Sequence, residues 1–432
     1  MKLVARPATT PLTGRPRVPG DKSISHRALI MATLAAGRSR IRGLLQGEDV
    51  LATRAACATL GAHFDGPLED FSVEGAGERG LTAPDAPLDM GNSGTAMRLL
   101  AGVLAAQPFD SVLTGDASLN ARPMRRIIEP LTAMGARIEG TPKGTAPLRI
   151  HGNPALQGRH FRLEVASAQV KSCLLLAGLF ARGTTSVDEP ARTRDHTERM
   201  LPAFGVRLAG ERAVTGPARL SGADVVVPAD PSSAAFLLAA AALVPGSDLT
   251  VDGVGLNPGR TGILRCLEAM GADIHVEERG RTGLEPVGTV RVRGGARLAG
   301  IEVPEAWVPD MIDEMPVLMA LAARAEGTTR IRGAAELRVK ESDRIAVMAE
   351  GLGRLGVAHR EYGDGIDIEG GAVRGGTVRS HMDHRCAMSF AVLGLAAEGE
   401  VRIEGAEYID TSFPGFAALL RGLGATLTEE GA

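Results

Sequence analysis

The 432-residue chain is 44% hydrophobic but only 3% aromatic, so a large core has to be built from Ala, Leu, Val, Ile and Met. At ~100 to 200 residues per domain, this length predicts two or three domains. With 48 Lys+Arg against 51 Asp+Glu the net charge is -3, which excludes a broad basic surface for nucleic acid or anionic membrane, so any anion must be bound locally.

The N-terminus, MKLVARPATTPLTGRP, places charges and prolines where a signal peptide needs an apolar run, so a cytoplasmic location is expected. The longest apolar stretch, Ala234 to Val244, covers 11 residues. That is short of the ~20 needed to span a bilayer. Cys57, Cys173, Cys266 and Cys386 lie far apart, each in a helix-like apolar segment, which predicts buried reduced thiols and no disulfide or zinc cluster.

Along the chain an organisation repeats six times. The apolar segments SHRALIMATLAAG, TAMRLLAGVLAAQP, VKSCLLLAGLFARG, SSAAFLLAAAALVPG, EMPVLMALAARAEG and RCAMSFAVLGLAAEG each run from a small polar cluster to a turn, 13 or 14 residues later. A short alternating segment follows each one (SRIRGL, SVLTGD, TSVDEP, LTVDGV, TRIRGA, VRIEGA) and predicts a strand. A second helical segment comes next and ends at Gly61, Gly135, Gly205, Gly271, Gly356 or Gly424, each placed as a helix C-cap. The first helix of each repeat is apolar nearly all round, as only a buried helix can be, whereas the second carries charges on one face. At ~70 residues the unit exceeds the usual solenoid repeat. Compact domains of three units, with sheets outside and apolar helices at the centre, are therefore expected, with a crossing between them near Val225 to Ser233.

Cations gather near the predicted helix starts: Lys22 and Arg27 in PGDKSISHR, Arg122 in NARPMRR, Arg194 in TRDHTE, Lys340 and Arg344 in RVKESDR, and Arg385 in DHRCAM. Ser23, the run 92–95, the run 167–169 and the pair 232–233 read as polar caps beside them. A helix N-terminus already favours anions, so so many cations there predict a ligand with phosphate and carboxylate groups. Asp313 and Glu341 stand in this basic company and read either as ion-pair partners or as proton carriers. His26 and His384 follow the same logic, with local hydrogen bonding as the plainer role. No phosphate loop, nicotinamide fingerprint or metal-ligand motif is present, and Gly363 to Gly371 predicts a hairpin turn.

The set PGDKSISHRA, GNSGTAMR, LTGDASLNARPM, SAQVKS, LRVKESDR, DHRCAMSF and TSFPGF resembles the 5-enolpyruvylshikimate-3-phosphate synthase family, in order and over essentially the full length. The resemblance implies an α+β (α/β) fold of two domains, each of three βαβαββ units with buried parallel helices surrounded by sheets, an inverse α/β barrel-like arrangement. It implies domains at 21–229 and at 1–20 plus 230–432, a cleft that closes between them, and enolpyruvyl transfer from phosphoenolpyruvate to shikimate 3-phosphate in aromatic amino acid biosynthesis. No metal or organic cofactor, no nucleic-acid or membrane partner, and a monomer are expected. By the resemblance, Lys22, Ser23, Arg27, Ser167, Ala168, Gln169, Arg194, Asp313 and Lys340 form the shikimate 3-phosphate set. Lys22, Gly94, Arg122, Gln169, Glu341, Arg344 and Arg385 form the phosphoenolpyruvate set. Asp313 would accept a proton from the attacking hydroxyl, and Lys22 or Glu341 would deliver one to the methylene carbon. Thr411 stands where many members carry lysine, and Leu99 where proline is common. The alternatives are the related transferase acting on UDP-N-acetylglucosamine, which a catalytic loop cysteine would favour, and a non-catalytic anion-binding protein.

Overall fold

The six apolar segments form six buried helices in the computed structural model, which describes residues 1–77, 80–283 and 285–431. The helices are Lys22–Leu34, Gly94–Leu104, Ala168–Gly178, Pro231–Leu243, Met315–Ala322 and His384–Gly394. Every residue of Met315–Ala322 is buried, as is all of Pro231–Leu243 except its last residue. The low aromatic content fits this packing, because Ala, Leu and Met let helices approach closely. Gly102 shows how close: a Cβ there would fall 2.2 Å from the carbonyl oxygen of Cys173 on the next buried helix.

Each buried helix leads into a strand of the expected position: Ala36–Arg42, Ser111–Thr114, Gly183–Asp188, Asp248–Gly255, Thr328–Ile331 and Val401–Glu404. Each strand belongs to a sheet of its own, so the described residues make six sheets of three or four strands. In five of them a parallel partner lies on one side of that strand and an antiparallel one on the other. In the Thr328–Ile331 sheet the parallel side shrinks to isolated bridges, Ala299 to Glu326 and Glu302 to Arg330. The six glycines that end the second helical segments all have positive φ, from +79° at Gly356 to +112° at Gly424, as a left-handed cap requires. Gly363 and Asp364 link the antiparallel strands His359–Tyr362 and Gly365–Glu369, the predicted hairpin.

The second helices are less regular than their sequence pattern suggests. Four of the six include a 3-10 turn, such as Leu201–Phe204 after His196–Met200 or Pro258–Arg260 before Gly262–Ala269. Pro202 and Pro258, at the starts of these turns, lack the N–H that a regular preceding helix would use.

The chain divides into two compact units. One comprises Met1–Pro19, Pro228–Arg281 and Pro286–Ala432, and the other Gly20–Val227 with Thr282–Glu285. Lys2–Ala5 pairs antiparallel with both Val401–Glu404 and Leu427–Glu430, which ties the N-terminal strand into the sixth sheet. Asp224–Val226 pairs in parallel with Ala36–Arg42, so the last strand of the Gly20–Val227 unit completes its first sheet. Glu285, which groups with the Gly20–Val227 unit, is buried there with its Oε1 2.7 Å from His196 Nδ1. Among the described residues no helix is long and apolar enough to cross a membrane.

Candidate active site

Within the Gly20–Val227 unit, the start of the Lys22–Leu34 helix is capped by Asp21, whose carboxylate accepts from the Ile24 N–H at 2.8 Å. Ser23 is not the cap expected from the sequence: it lies one residue inside the helix, and its carbonyl accepts from Arg27 Nη1 at 2.9 Å. Lys22 pairs with Asp49, in the first turn of the Glu48–Thr59 helix. Arg27 is buried and donates to Thr197 Oγ1 and Ser172 Oγ, both at 2.7 Å. Burial pulls its pKa down to about 10, with Arg194 pushing the same way against Glu198, Asp21 and Glu285. Arg194 itself precedes Asp195, the cap of the short His196–Met200 helix.

A second group is built on the next two buried helices. Ser93 caps Gly94–Leu104 and Ser167 caps Ala168–Gly178, as expected. Gln169 accepts from Arg98 Nη1 at 2.7 Å and donates to Thr95 Oγ1 at 2.8 Å. Arg122 is buried and donates to Asn92 Oδ1 at 2.5 Å. The expectation that Arg122 opens a helix is corrected: it is the C-terminal cap of Ala117–Ala121, because Pro123 pushes the preceding residue out of helical geometry. Gly94 lies between these cations, and a Cβ there would stand 2.8 Å from Arg98 Nη1 and 3.3 Å from Arg122 Nη1. His26 links the groups, with Nδ1 2.7 Å from Thr53 Oγ1 and Nε2 3.4 Å from Ser93 Oγ. Its burial, with Lys22 and Arg27 beside it, holds the imidazole well below its ordinary pKa, so it stays neutral. Structure thus gives His26 the local hydrogen-bonding role.

In the other unit a single guanidinium organises the acids. Arg344, fully buried at the start of Arg344–Arg354, lies 3.2 Å from Asp313, 2.5 Å from Glu341 and 2.8 Å from Asp383. Burial opposes its charge, yet Asp383, Glu341 and Asp313 together raise its pKa well above the ordinary range. Arg385 adds a contact from its Nη1 to the Asp313 carbonyl at 3.3 Å. Lys340 follows the 3-10 turn Ala335–Val339 as its C-terminal cap. The caps of two buried helices here are Asp230 and Asp383; Ser232 and Ser233, expected as caps, lie inside the Pro231–Leu243 helix. Among the described residues no group of His, Cys, Asp and Glu is arranged to hold a metal ion.

The family model for EPSP synthase (3-phosphoshikimate 1-carboxyvinyltransferase) matches residues 7–420. The chain belongs to the EPSP synthase family. It is 58% identical over 425 residues to the 3-phosphoshikimate 1-carboxyvinyltransferase of Halorhodospira halophila, covering 97% of this chain and 96% of that one. It is 55% identical over 423 residues to the enzyme of that name from Xanthomonas campestris pv. campestris strain B100, at the same coverage. A solved EPSP synthase from Acinetobacter baumannii, 48% identical, superposes with a TM-score of 0.87 over 99% of both chains. The two-domain α/β fold expected from the resemblance is therefore that of the EPSP synthase family.

The thiols bear on the rival transferase. All four cysteines lie in helices and are buried. Burial pushes Cys57, Cys173 and Cys266 up to about 12, and raises Cys386 well above its ordinary value. None is a loop nucleophile. Two residues that contact the candidate site residues were missed in the sequence, Arg98 on Gln169 and Asp383 on Arg344. Both stand inside quoted motifs, GNSGTAMR and DHRCAM, but mid-helix placement hid the first and capping the second.

Proposed function

We propose that the chain transfers the enolpyruvyl group of phosphoenolpyruvate to the 5-hydroxyl of shikimate 3-phosphate, with release of phosphate. The observation that carries this reading is the pairing of Asp313 and Glu341 on one buried guanidinium, Arg344. A protein that only binds anions has no use for acids held beside its cations, whereas a proton-transferring site needs them placed and ionisable.

In this reading Lys22, Ser23, Arg27, Ser167, Ala168, Gln169 and Arg194 hold shikimate 3-phosphate, together with Asp313 and Lys340. Neutral partners around Arg27 leave its charge available to the ligand phosphate. Lys22, Gly94, Arg122, Gln169, Glu341, Arg344 and Arg385 hold phosphoenolpyruvate, and the missing side chain of Gly94 leaves space beside Arg98 and Arg122. Thr411 supplies no cation and turns its hydroxyl onto the Tyr408 carbonyl at 2.7 Å, so the anion-holding falls to Lys22 and the arginines.

The chemistry follows from these placements. Asp313 accepts the proton of the 5-hydroxyl as its oxygen bonds to C2 of phosphoenolpyruvate, while C3 takes a proton from Lys22 or Glu341. Return of a C3 proton to that same deprotonated group, with the C–O bond to phosphate breaking and phosphate leaving to solvent, restores the double bond. Fixed cations stabilise the charge that develops on the phosphate and carboxylate without reorganising. The shikimate 3-phosphate groups fall mainly in 21–229 and the acids in 1–20 plus 230–432, and turnover requires both sets on one substrate pair. The enzyme acts as a cytoplasmic monomer in the shikimate pathway, without a cofactor, and closes around shikimate 3-phosphate.

Phosphate release with both substrates present tests the reading. Release that needs both shikimate 3-phosphate and phosphoenolpyruvate is expected; release with UDP-N-acetylglucosamine in place of shikimate 3-phosphate, or no release at all, would overturn it.

A further inference from the structure

We propose that Arg260, Ser232 and Glu314 clamp the chain beside Asp313, and that Glu314 is a positioning residue for proton transfer; this rests on the role given to Asp313 above. Asp313 and Glu314 are adjacent acids just before the Met315–Ala322 helix. Glu314 occupies the N-cap position, where a side chain normally accepts a helix N–H, but it makes no such bond. It is fully buried and turns instead to the neighbouring Pro231–Leu243 helix, accepting a hydrogen bond from Ser232 Oγ. Ser232 in turn accepts from Arg260 Nη2 at 2.7 Å, and the same nitrogen donates to Asp230 at 2.9 Å and lies 3.9 Å from Glu314.

One residue earlier the chain is held from another side. Arg344 Nη1 lies 3.2 Å from the Asp313 carboxylate, and Arg385 Nη1 donates to the Asp313 carbonyl at 3.3 Å. Three buried guanidiniums from three separate segments thus grip two consecutive residues, so the 313–314 peptide cannot turn without breaking one of the contacts. The repeats make this choice legible. Arg194 and Arg344 stand near the starts of second helices in their repeats, and Arg260 stands in that place in the fourth. Arg260 faces two buried carboxylates, which gives it a supporting place in the unit's charge network. A base that removes a hydroxyl proton has to be held closely, since a displacement of about 1 Å can cost ~10²-fold in rate.

Glu314→Met fills similar volume, removes the acceptor and leaves Arg260 balanced by Asp230. Its kcat should fall ~10²-fold with the KM of both substrates little changed. The acid limb of its kcat profile should move to higher pH, because an Asp313 that drifts from Arg344 is easier to protonate. Glu314→Gln keeps an acceptor for Ser232 and should recover most of the rate. A folded Glu314→Met with wild-type kcat and pH profile overturns the clamp, and so does an equal loss in Glu314→Gln. If Glu314→Met does not fold, Ser232→Ala decides: lower kcat at unchanged KM supports the clamp, and unchanged kcat overturns it. Asp313→Asn is measured alongside. If Asp313→Asn turns over normally, the role of Asp313 falls and the clamp with it; if it is inactive while Glu314→Met is unaffected, only the clamp falls.

Discussion

Arg27 and Arg344 are both sealed from solvent, one in each unit, yet the groups they touch directly differ in charge. Arg27 hydrogen-bonds two hydroxyls and a carbonyl, all neutral, and burial pulls its pKa down to about 10. Arg344 meets three carboxylates, which overcome the same burial and raise its pKa. The difference separates two uses of a buried cation. One whose partners are neutral keeps its charge for a ligand, at a cost in the empty protein; one whose partners are acids has already spent its charge holding those acids in place.

The comparison breaks most visibly at the acids. Asp313→Asn and Glu341→Gln each keep shape and leave Arg344 with two carboxylates, so both should fold and bind substrates nearly normally. Turnover should drop by ~10²- to 10⁴-fold, the usual span for a lost general acid or base, as steady-state phosphate release will read. Near-normal turnover in either variant would return that residue to a purely ion-pairing role.

Next comes stability. Arg344→Met strands three carboxylates and should cost ~3 to 5 kcal/mol in chemical denaturation. Arg27→Met removes a charge that burial disfavours, while Thr197 and Ser172 stay bonded to each other at 2.8 Å. It should change stability by ~1 kcal/mol or less and lose the thermal upshift expected of the wild type with shikimate 3-phosphate. Equal destabilisation by the two would erase the distinction.

Arg122, which donates to Asn92, carries the test to the other ligand. Arg122→Ala should weaken phosphoenolpyruvate use by ~1.5 to 3 kcal/mol and shikimate 3-phosphate binding much less, since a guanidinium contact to an anion is a charged hydrogen bond. Titrating each substrate separately checks this, and an equal loss for both counts against the assignment.

The smallest effect is in pH. His26 has a folded pKa below its ordinary 6.5, so the unfolded chain binds a proton first as pH falls. The stability this neutral imidazole contributes is complete above pH 6.5 and is lost below it, at up to ~1.4 kcal/mol per pH unit. Melting His26→Asn between pH 7 and 5 should show a shallower slope than the wild type; an unchanged slope would assign the acid sensitivity elsewhere.

Much of this was legible before the structure. A helix such as Pro231–Leu243 has no polar face to offer water, so the pattern alone dictates its burial, and each C-terminal glycine marks where its partner helix must stop. Cations near helix starts were equally visible, because charge is written in the residue type. Capping was read less well. Ser23, Ser232 and Ser233 stood beside better acceptors, Asp21 and Asp230, and a difference of one or two residues in a helix start is beyond a propensity argument. Arg122 was placed at the wrong end of a helix for a similar reason.

By itself the sequence determined the six repeats, the buried helices, the strands after them and the inventory of charges, since these depend on periodicity and residue type over short spans. Only the tertiary structure decided which charges meet. Asp313, Arg344 and Asp383 lie in three different segments of the chain, and Arg260 reaches Glu314 through Ser232 from two others. Nothing local specifies such pairings: they arise when apolar helices pack at fixed distances and bring their polar ends together, where buried charges are tolerated only in the company that packing provides.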